Sequence, residues 1–184
     1  MKNFKLLLML LFYGGLSFHG QCQLSAGIKG GAGFGYLSIN DQNLDEVFTS
    51  SNMINFEGGF FLNYQMRNLY LRPQLLYIYK EGSFDNEQEL ITHNLQIPLI
   101  IGINLLGPLS IEGGPSYTRV LQSTSNFSEG YTIYKNGLGY RFGPVLTFEN
   151  FSIYSNIEGN IYENKRQTRF SEPFRINVGL AINL

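Results

Sequence analysis

The sequence predicts an all-β fold, an eight-stranded antiparallel up-and-down transmembrane β-barrel preceded by a cleaved signal peptide. Three observations support this prediction. Apolar and polar residues alternate with a period of two along most of the chain. The segments that interrupt this alternation are alternately short and long. The N-terminus has the composition of an export signal.

Composition narrows the class of protein. The 184 residues include 21 Gly, 15 Phe and 12 Tyr but no Trp, and mean hydropathy is −0.07. A helical membrane protein would need spans of about 20 apolar residues, whereas a disordered chain would lack this aromatic content. The formal net charge is −1, so the chain lacks the excess of positive charge that nucleic-acid-binding proteins use. No nucleic-acid partner is therefore expected.

Residues 1–22 are predicted to be a signal peptide and residues 23–184 the outer-membrane barrel domain. Lys2 and Lys5 precede an apolar stretch at 6–13, and a small and polar segment follows. This order is typical of a secretory signal. Its removal would leave 11 Lys and Arg against 14 Asp and Glu, a mature net charge of −3.

The only cysteine lies at the predicted cleavage point. Cleavage before Gln23 would remove Cys22 and leave a mature chain without thiol chemistry. The alternative is a lipidated Cys22. It is disfavoured because Gln21 occupies the position where a small residue normally precedes a lipidated cysteine.

Period-two alternation begins at Leu24, where residues 24–37 place apolar side chains on one face and mostly glycine on the other. It recurs seven times. The predicted strands are 24–37, 53–66, 69–82, 91–104, 108–121, 136–148, 151–162 and 173–184. Each exceeds the roughly 9–11 residues that a tilted strand needs to cross a bilayer.

The connections between these strands alternate in length. Short turns are expected at Arg67–Asn68, Leu105–Gly107 and Glu149–Asn150, and long polar loops at 38–52, 83–90, 122–135 and 163–172. In an up-and-down sheet all short turns then share one end. This is the layout of a barrel in the cell outer membrane, with periplasmic turns and extracellular loops.

The most apolar internal stretch, residues 93–115, could be mistaken for a helix. Pro98, Gly102 and the Gly107–Pro108 pair would interrupt one. Odd-numbered residues from Ile91 to Ile103 instead share one strand face. We therefore predict two membrane-crossing strands joined by a periplasmic turn.

A soluble barrel of lipocalin type is the structural alternative. Such a barrel encloses its apolar face and exposes its polar one. Here the apolar face is dense with Phe, Tyr, Leu and Ile, while the polar face is rich in small residues that suit the narrow interior of eight strands. Together with the export signal, this favours the membrane orientation.

The predicted inward face carries five cationic and three anionic side chains. They are Lys29, Glu57, Arg72, Lys80, Glu112, Arg141, Glu158 and Arg175. Because an isolated buried ion is very costly, we expect an internal salt-bridge network that fills the lumen. An ion or proton path is the functional alternative.

The short turns specify particular neighbours across the strands. A two-residue turn at Glu149–Asn150 places Arg141 opposite Glu158. The turn at Arg67–Asn68 places Asn63 opposite Arg72, and makes Glu57 a diagonal neighbour of Lys80.

Four prolines fall inside predicted strands, where each removes a ladder donor. They are Pro73, Pro98, Pro115 and Pro144. A closed barrel has no edge strand to accommodate them, so local bulges are expected. A bulge at Pro144 would weaken the Arg141–Glu158 prediction.

Several of these strands resemble the outer-membrane β-barrel domain widespread in Bacteroidetes, often termed PorT-like. The resemblance lies in HNLQIPLIIGINL, LSIEGGPSYTRVL, GLGYRFGPVLTF and FRINVGLAINL, with matching positions at Ile97-Pro98-Leu99, Gly114-Pro115 and Gly143-Pro144. It covers nearly the whole mature chain and implies fold and location, but no activity. Leu184 departs from the aromatic residue that commonly ends outer-membrane barrels.

The sequence offers little catalytic chemistry. His93 is the only histidine outside the signal and falls on the predicted lipid face, and no Cys/His metal cluster is present. No catalytic, cofactor or metal site is therefore expected. The fourth loop is basic through Lys165, Arg166 and Arg169, which would suit lipopolysaccharide phosphates.

The sequence thus predicts a structural or interaction role at the cell surface, without solute conduction. Outer-membrane lipid and lipopolysaccharide are the expected partners, and an envelope protein partner is also considered. Two alternatives remain open. One is a component of a secretion or gliding machinery, suggested by the PorT-like resemblance, and the other is a lipid-modifying barrel enzyme.

Overall fold

The computed structural model describes residues 22–36, 38–40, 47–49, 52–84, 88–125, 136–162, 169–171 and 174–184. Its strands are β1 (Cys22–Gly35), β2 (Ser38–Asn40), β3 (Val47–Thr49), β4 (Asn52–Met66), β5 (Leu69–Phe84), β6 (Gln88–Leu106), β7 (Leu109–Ser125), β8 (Asn136–Phe148), β9 (Phe151–Tyr162), β10 (Arg169–Ser171) and β11 (Arg175–Asn183). Within these ranges no helix is long and apolar enough to span a bilayer. Residues 1–21 of the predicted signal peptide, which was placed at 1–22, lie outside the described residues, and Cys22 is the first residue of β1.

The eight long strands close into a barrel in the order β1-β11-β9-β8-β7-β6-β5-β4. Every neighbouring pair is antiparallel, and β1 closes the barrel by pairing with both β4 and β11. The predicted eight-stranded up-and-down topology is confirmed. Most of the observed strand ends differ from the predicted ones by a few residues.

Burial follows the predicted alternation. Phe60 on the apolar face of β4 is 66% exposed, whereas Arg141 on the polar face of β8 is 0% exposed. Apolar residues cover the exterior of all eight strands, and polar groups lie inside. The lipocalin-like alternative is therefore wrong, because this arrangement hides polar groups from the surroundings and presents the apolar ones to a bilayer.

Three tight turns share one end of the barrel. They lie at Arg67–Asn68, Gly107–Pro108 and Glu149–Asn150, and their first residues have φ values of +49°, +55° and +38°. The middle turn was predicted at Leu105–Gly107, but β6 continues to Leu106. The turn forms where glycine adopts positive φ without steric cost.

The prolines do not create the predicted bulges. Ladder pairs are missing beside Pro73 toward β4, Pro98 toward β5, Pro115 toward β6 and Pro144 toward β9, yet the register is identical on both sides of each gap. A strand residue directs its N–H to one neighbour only, so each proline omits one donor without displacing the chain.

The irregularities of register lie elsewhere. They fall between His93 and Asn94, between Asn104 and Leu106, and between Leu138 and Gly139. The last two are near strand ends, where fewer ladder bonds oppose an extra residue, whereas the first lies inside β6. Because no bulge forms at Pro144, Arg141 pairs with Glu158 as predicted.

Two of the predicted long loops contain strands. β2 pairs with both β3 and β10, giving a three-stranded sheet within the predicted loops 38–52 and 163–172. The β2–β10 pairing continues the direction of the β1–β11 ladder beyond the barrel. The segments are three residues long, too short for alternation to reveal them.

Candidate functional site in the barrel lumen

The structure places all eight predicted lumen charges on the inward face. Seven of them are at most 8% exposed, and Lys80 is half-buried opposite the fully buried Asn55. Seven of the eight barrel strands contribute a charge, and β6 contributes the neutral Gln96. The charges therefore share a narrow interior.

Arg141 is the centre of the largest cluster. Its Nη2 lies 2.5 Å from Glu57 Oε2, and its Nη1 donates to Glu57 Oε1 at 3.3 Å. Strands β8 and β4 are four places apart in the barrel order. This two-point ion pair therefore spans the full diameter of the lumen, with the geometry that makes arginine–carboxylate pairs strong.

Glu158 is held by two cations and two amides. It forms ion pairs with Arg141 and Arg175. Asn177 Nδ2 donates to Glu158 Oε1 at 2.9 Å, and Gln96 Nε2 donates to Glu158 Oε2 at 3.3 Å. Both carboxylate oxygens are thus occupied, which offsets the cost of removing the charge from water.

Lys29 and Tyr154 complete the shell of Glu57. Lys29 Nζ lies 3.7 Å from Glu57 Oε1 and donates to Gln74 Oε1 at 3.3 Å. It also lies 3.8 Å from the Tyr154 ring centroid, a cation–π contact. The Tyr154 hydroxyl donates to Glu57 Oε1 at 2.7 Å.

A second charged layer lies closer to the short turns. Arg72 Nη1 is 3.1 Å from Glu112 Oε2, which also accepts a hydrogen bond from the Tyr70 hydroxyl at 3.0 Å. The Arg72 guanidinium carbon lies 5.1 Å from the Phe61 ring centroid and 4.6 Å from that of Tyr70. These rings fix the guanidinium in the lumen.

The predicted neighbours are partly found as contacts. Arg72 Nε donates to Asn63 Oδ1 at 3.4 Å. Glu57 lies opposite Ile78, so Lys80 is its diagonal neighbour, but the Glu57 carboxylate contacts Arg141 and Lys29 instead. The contact with Lys29 joins the neighbouring strands β1 and β4, whereas the contact with Arg141 crosses the lumen.

Sequence reasoning missed the neutral and aromatic members of the network. They are Tyr70, Gln74, Gln96, Tyr154 and Asn177. Their strand phase would have identified them as inward-facing. Their residue types gave no reason to select them over other inward positions.

A cavity of about 340 Å³ remains at the short-turn end. Its lining is largely amides and hydroxyls, including Asn63, Asn104, Ser110 and Thr147, and Arg72 and Tyr70 also line it. The cavity is thus a polar vestibule at the mouth of the barrel.

No group of three or more His, Cys, Asp or Glu that could hold a metal occurs among the residues with described positions. His93 faces outward, where its Nδ1 is 2.5 Å from the Tyr77 hydroxyl and its ring lies edge-on to Tyr79. It therefore lies apart from the lumen carboxylates.

No protein-family model matches the sequence, and no curated protein matches it. Solved structures do resemble it. Neisserial surface protein A (NspA) superimposes with a TM-score of 0.62 at 9% identity, covering 88% of this chain and 99% of that one. Ail, the attachment invasion locus protein of Yersinia pestis, in complex with the heparin analogue sucrose octasulfate, gives 0.53 at 12% identity over 88% and 99%.

These likenesses show the fold, which is that of small outer-membrane β-barrels. The apolar exterior of the present barrel agrees with that class independently. The protein is located in the outer membrane.

Proposed function

We propose that this protein is a structural or interaction barrel of the cell surface whose lumen is sealed against solutes. The observation that carries the proposal is the Arg141–Glu57 ion pair, which bridges opposite walls. Arg72 and Glu112 add a second layer nearer the turns. An eight-stranded barrel is just wide enough for side chains to fill it.

Conductance across a planar bilayer tests the sealed lumen. The purified barrel is expected to give no single-channel steps at moderate voltage, while a general porin in the same bilayer gives steps. Stable, reproducible steps from the barrel alone would contradict the proposal. Folding is checked beforehand by the heat-dependent gel shift typical of outer-membrane barrels.

A finer proposal is that the barrel serves a PorT-like secretion or gliding machinery. Its support is the resemblance at Ile97-Pro98-Leu99, Gly114-Pro115 and Gly143-Pro144. In-cell cross-linking followed by purification under denaturing conditions tests it. Stoichiometric adducts with other envelope proteins are expected, whereas a monomer bearing only lipid would favour the simpler surface role.

We further propose that the protein is not an enzyme. His93 hydrogen-bonds Tyr77 on the exterior, away from Glu57, Glu112 and Glu158. A lipid-modifying barrel enzyme needs such groups within hydrogen-bond reach of one another. Incubation with labelled lipopolysaccharide and phospholipid is expected to leave both unchanged.

A further inference from the structure

Arg119 is placed unlike the other cations described on the barrel strands. Lys29, Arg72, Lys80, Arg141 and Arg175 face the lumen. Arg119 lies on the outward face of β7, opposite Leu95 of β6, and its side chain is exposed. A sealed lumen does not explain a cation on the face that otherwise contacts lipid, where charge is costly.

Its height on the barrel identifies its surroundings. Arg119 lies eleven residues beyond the turn residue Pro108. With a rise of about 3.3 Å per residue and a tilt of about 40°, this is roughly 28 Å from the turn end, comparable with the roughly 25 Å apolar band of such barrels. Arg119 therefore lies where hydrocarbon gives way to lipid headgroups.

An oriented amide lies beside it. Asn136 of β8 is the direct cross-strand partner of Arg119. The Tyr117 hydroxyl donates to Asn136 Oδ1 at 2.9 Å. Since the amide oxygen accepts this bond, Asn136 Nδ2 supplies N–H donors at the position paired with Arg119.

No carboxylate of the described segments forms an ion pair with Arg119. The outward-facing acids of the described barrel strands, Glu81 and Glu89, lie further toward the long connections. Glu89 is six residues beyond Leu95 along β6, about 20 Å at the usual strand rise, and Glu81 accepts a hydrogen bond from Tyr79. A guanidinium and an amide thus present N–H donors to the bilayer without an ion-paired carboxylate from the described part of the chain.

We propose that Arg119 and Asn136 bind the phosphate group of a lipid in the leaflet at the long-connection end of the barrel. Guanidinium groups suit phosphate because two N–H donors match two phosphate oxygens. The outward orientation at headgroup height favours a lipid over a phosphate free in water. In the proposed orientation of the barrel this is the outer leaflet, but the site does not depend on a sealed lumen.

Native mass spectrometry of the full-length mature barrel in neutral detergent tests the site. The probes are dilauroyl phosphatidic acid, the diacylglycerol with the same acyl chains, and inorganic phosphate. Wild-type protein is expected to retain phosphatidic acid in preference to diacylglycerol. The substitution Arg119→Gln is expected to weaken retention about tenfold, typical of a lost charge-assisted hydrogen-bond pair, and Arg119→Lys to weaken it less.

Arg67→Gln is the matched control, since it removes an exposed arginine at the opposite rim and is expected to leave retention unchanged. Equal retention by wild type and Arg119→Gln would overturn the proposal. So would an equal loss in Arg67→Gln, which would indicate a general charge effect. Binding of inorganic phosphate as strong as that of phosphatidic acid would show an anion site rather than a lipid site. Each variant is first shown to fold by its heat-dependent gel shift.

Discussion

Arg141 shows how single residues stabilise the interior of this barrel. It is 0% exposed, and its guanidinium contacts carboxylates from two strands, Glu57 of β4 and Glu158 of β9. Its Nη2 also donates to Gln96 Oε1 at 3.1 Å. A buried cation with this many partners is stabilised only while all of them are present.

We expect Arg141→Gln to destabilise the barrel by about 3–5 kcal/mol, because two buried carboxylates lose a shared counter-ion. Urea unfolding in phospholipid vesicles, followed by gel mobility, measures this change. The chain contains no Trp, so Trp fluorescence is not an option. Arg67→Gln removes an exposed arginine and should change stability by less than about 0.5 kcal/mol. A loss of stability in Arg141→Gln no larger than that in Arg67→Gln would show that the lumen pairing contributes little.

The sequence predicted which residues face inward but not which of them meet. Alternation placed Arg141 and Glu57 in the lumen, and turn arithmetic placed Arg141 opposite Glu158. The contact between Arg141 and Glu57 joins strands four places apart. Local spacing does not encode which side chains extend across a closed lumen, since that depends on barrel diameter and on the stagger of the strands.

At the scale of the elements, the short turns set the register. Arg67 and Glu149 have positive φ although neither is glycine, asparagine or aspartate. This conformation is disfavoured for residues with a Cβ. It is tolerated because the ladders on both sides of each turn fix the backbone.

Glu149→Gly is expected to stabilise the barrel by about 0.5–1 kcal/mol. Glycine relieves the left-handed strain, and its greater freedom in the unfolded chain offsets part of the gain. Glu149→Val should be destabilising, because a β-branched residue is least compatible with φ near +38°. The same urea titration measures both variants. Stability changes of the same sign in both would contradict the strain argument.

The prolines in the barrel strands interrupt the hydrogen-bond ladder without shifting its register. Proline does remove a ladder donor, as the gap beside Pro144 shows. The inference that a bulge must follow was wrong, because ladder bonds on either side hold the register. The actual shift at Leu138 and Gly139 carries no proline and had no sequence signal.

At the scale of the whole molecule, the barrel is inverted relative to a soluble protein. Its exterior presents residues such as Leu24, Phe60 and Leu180, which are 71%, 66% and 55% exposed. Its interior holds the ion pairs. Only a lipid surrounding makes this distribution favourable, because apolar surface of this extent in water would drive aggregation.

The substitution Phe60→Arg tests whether the apolar exterior contacts lipid. Phe60 lies seven residues from the turn residue Arg67, near the middle of the apolar band, where an outward arginine costs about 2–4 kcal/mol. Phe60→Leu, which stays apolar, should cost far less. Folding in phospholipid vesicles measures both. A Phe60→Arg variant as stable as Phe60→Leu would indicate that this face does not contact hydrocarbon.

The sequence by itself determined the number of barrel strands, their phase and the end of the barrel at which the tight turns lie. These properties follow from period-two alternation and from turn residues, which act over a few neighbouring positions. The tertiary structure decided the trans-lumen partners, the extension formed by β2, β3 and β10, and the pairing of Arg119 with Asn136 on the exterior. Those arise only when the sheet closes, because closure brings together side chains that are far apart in the chain.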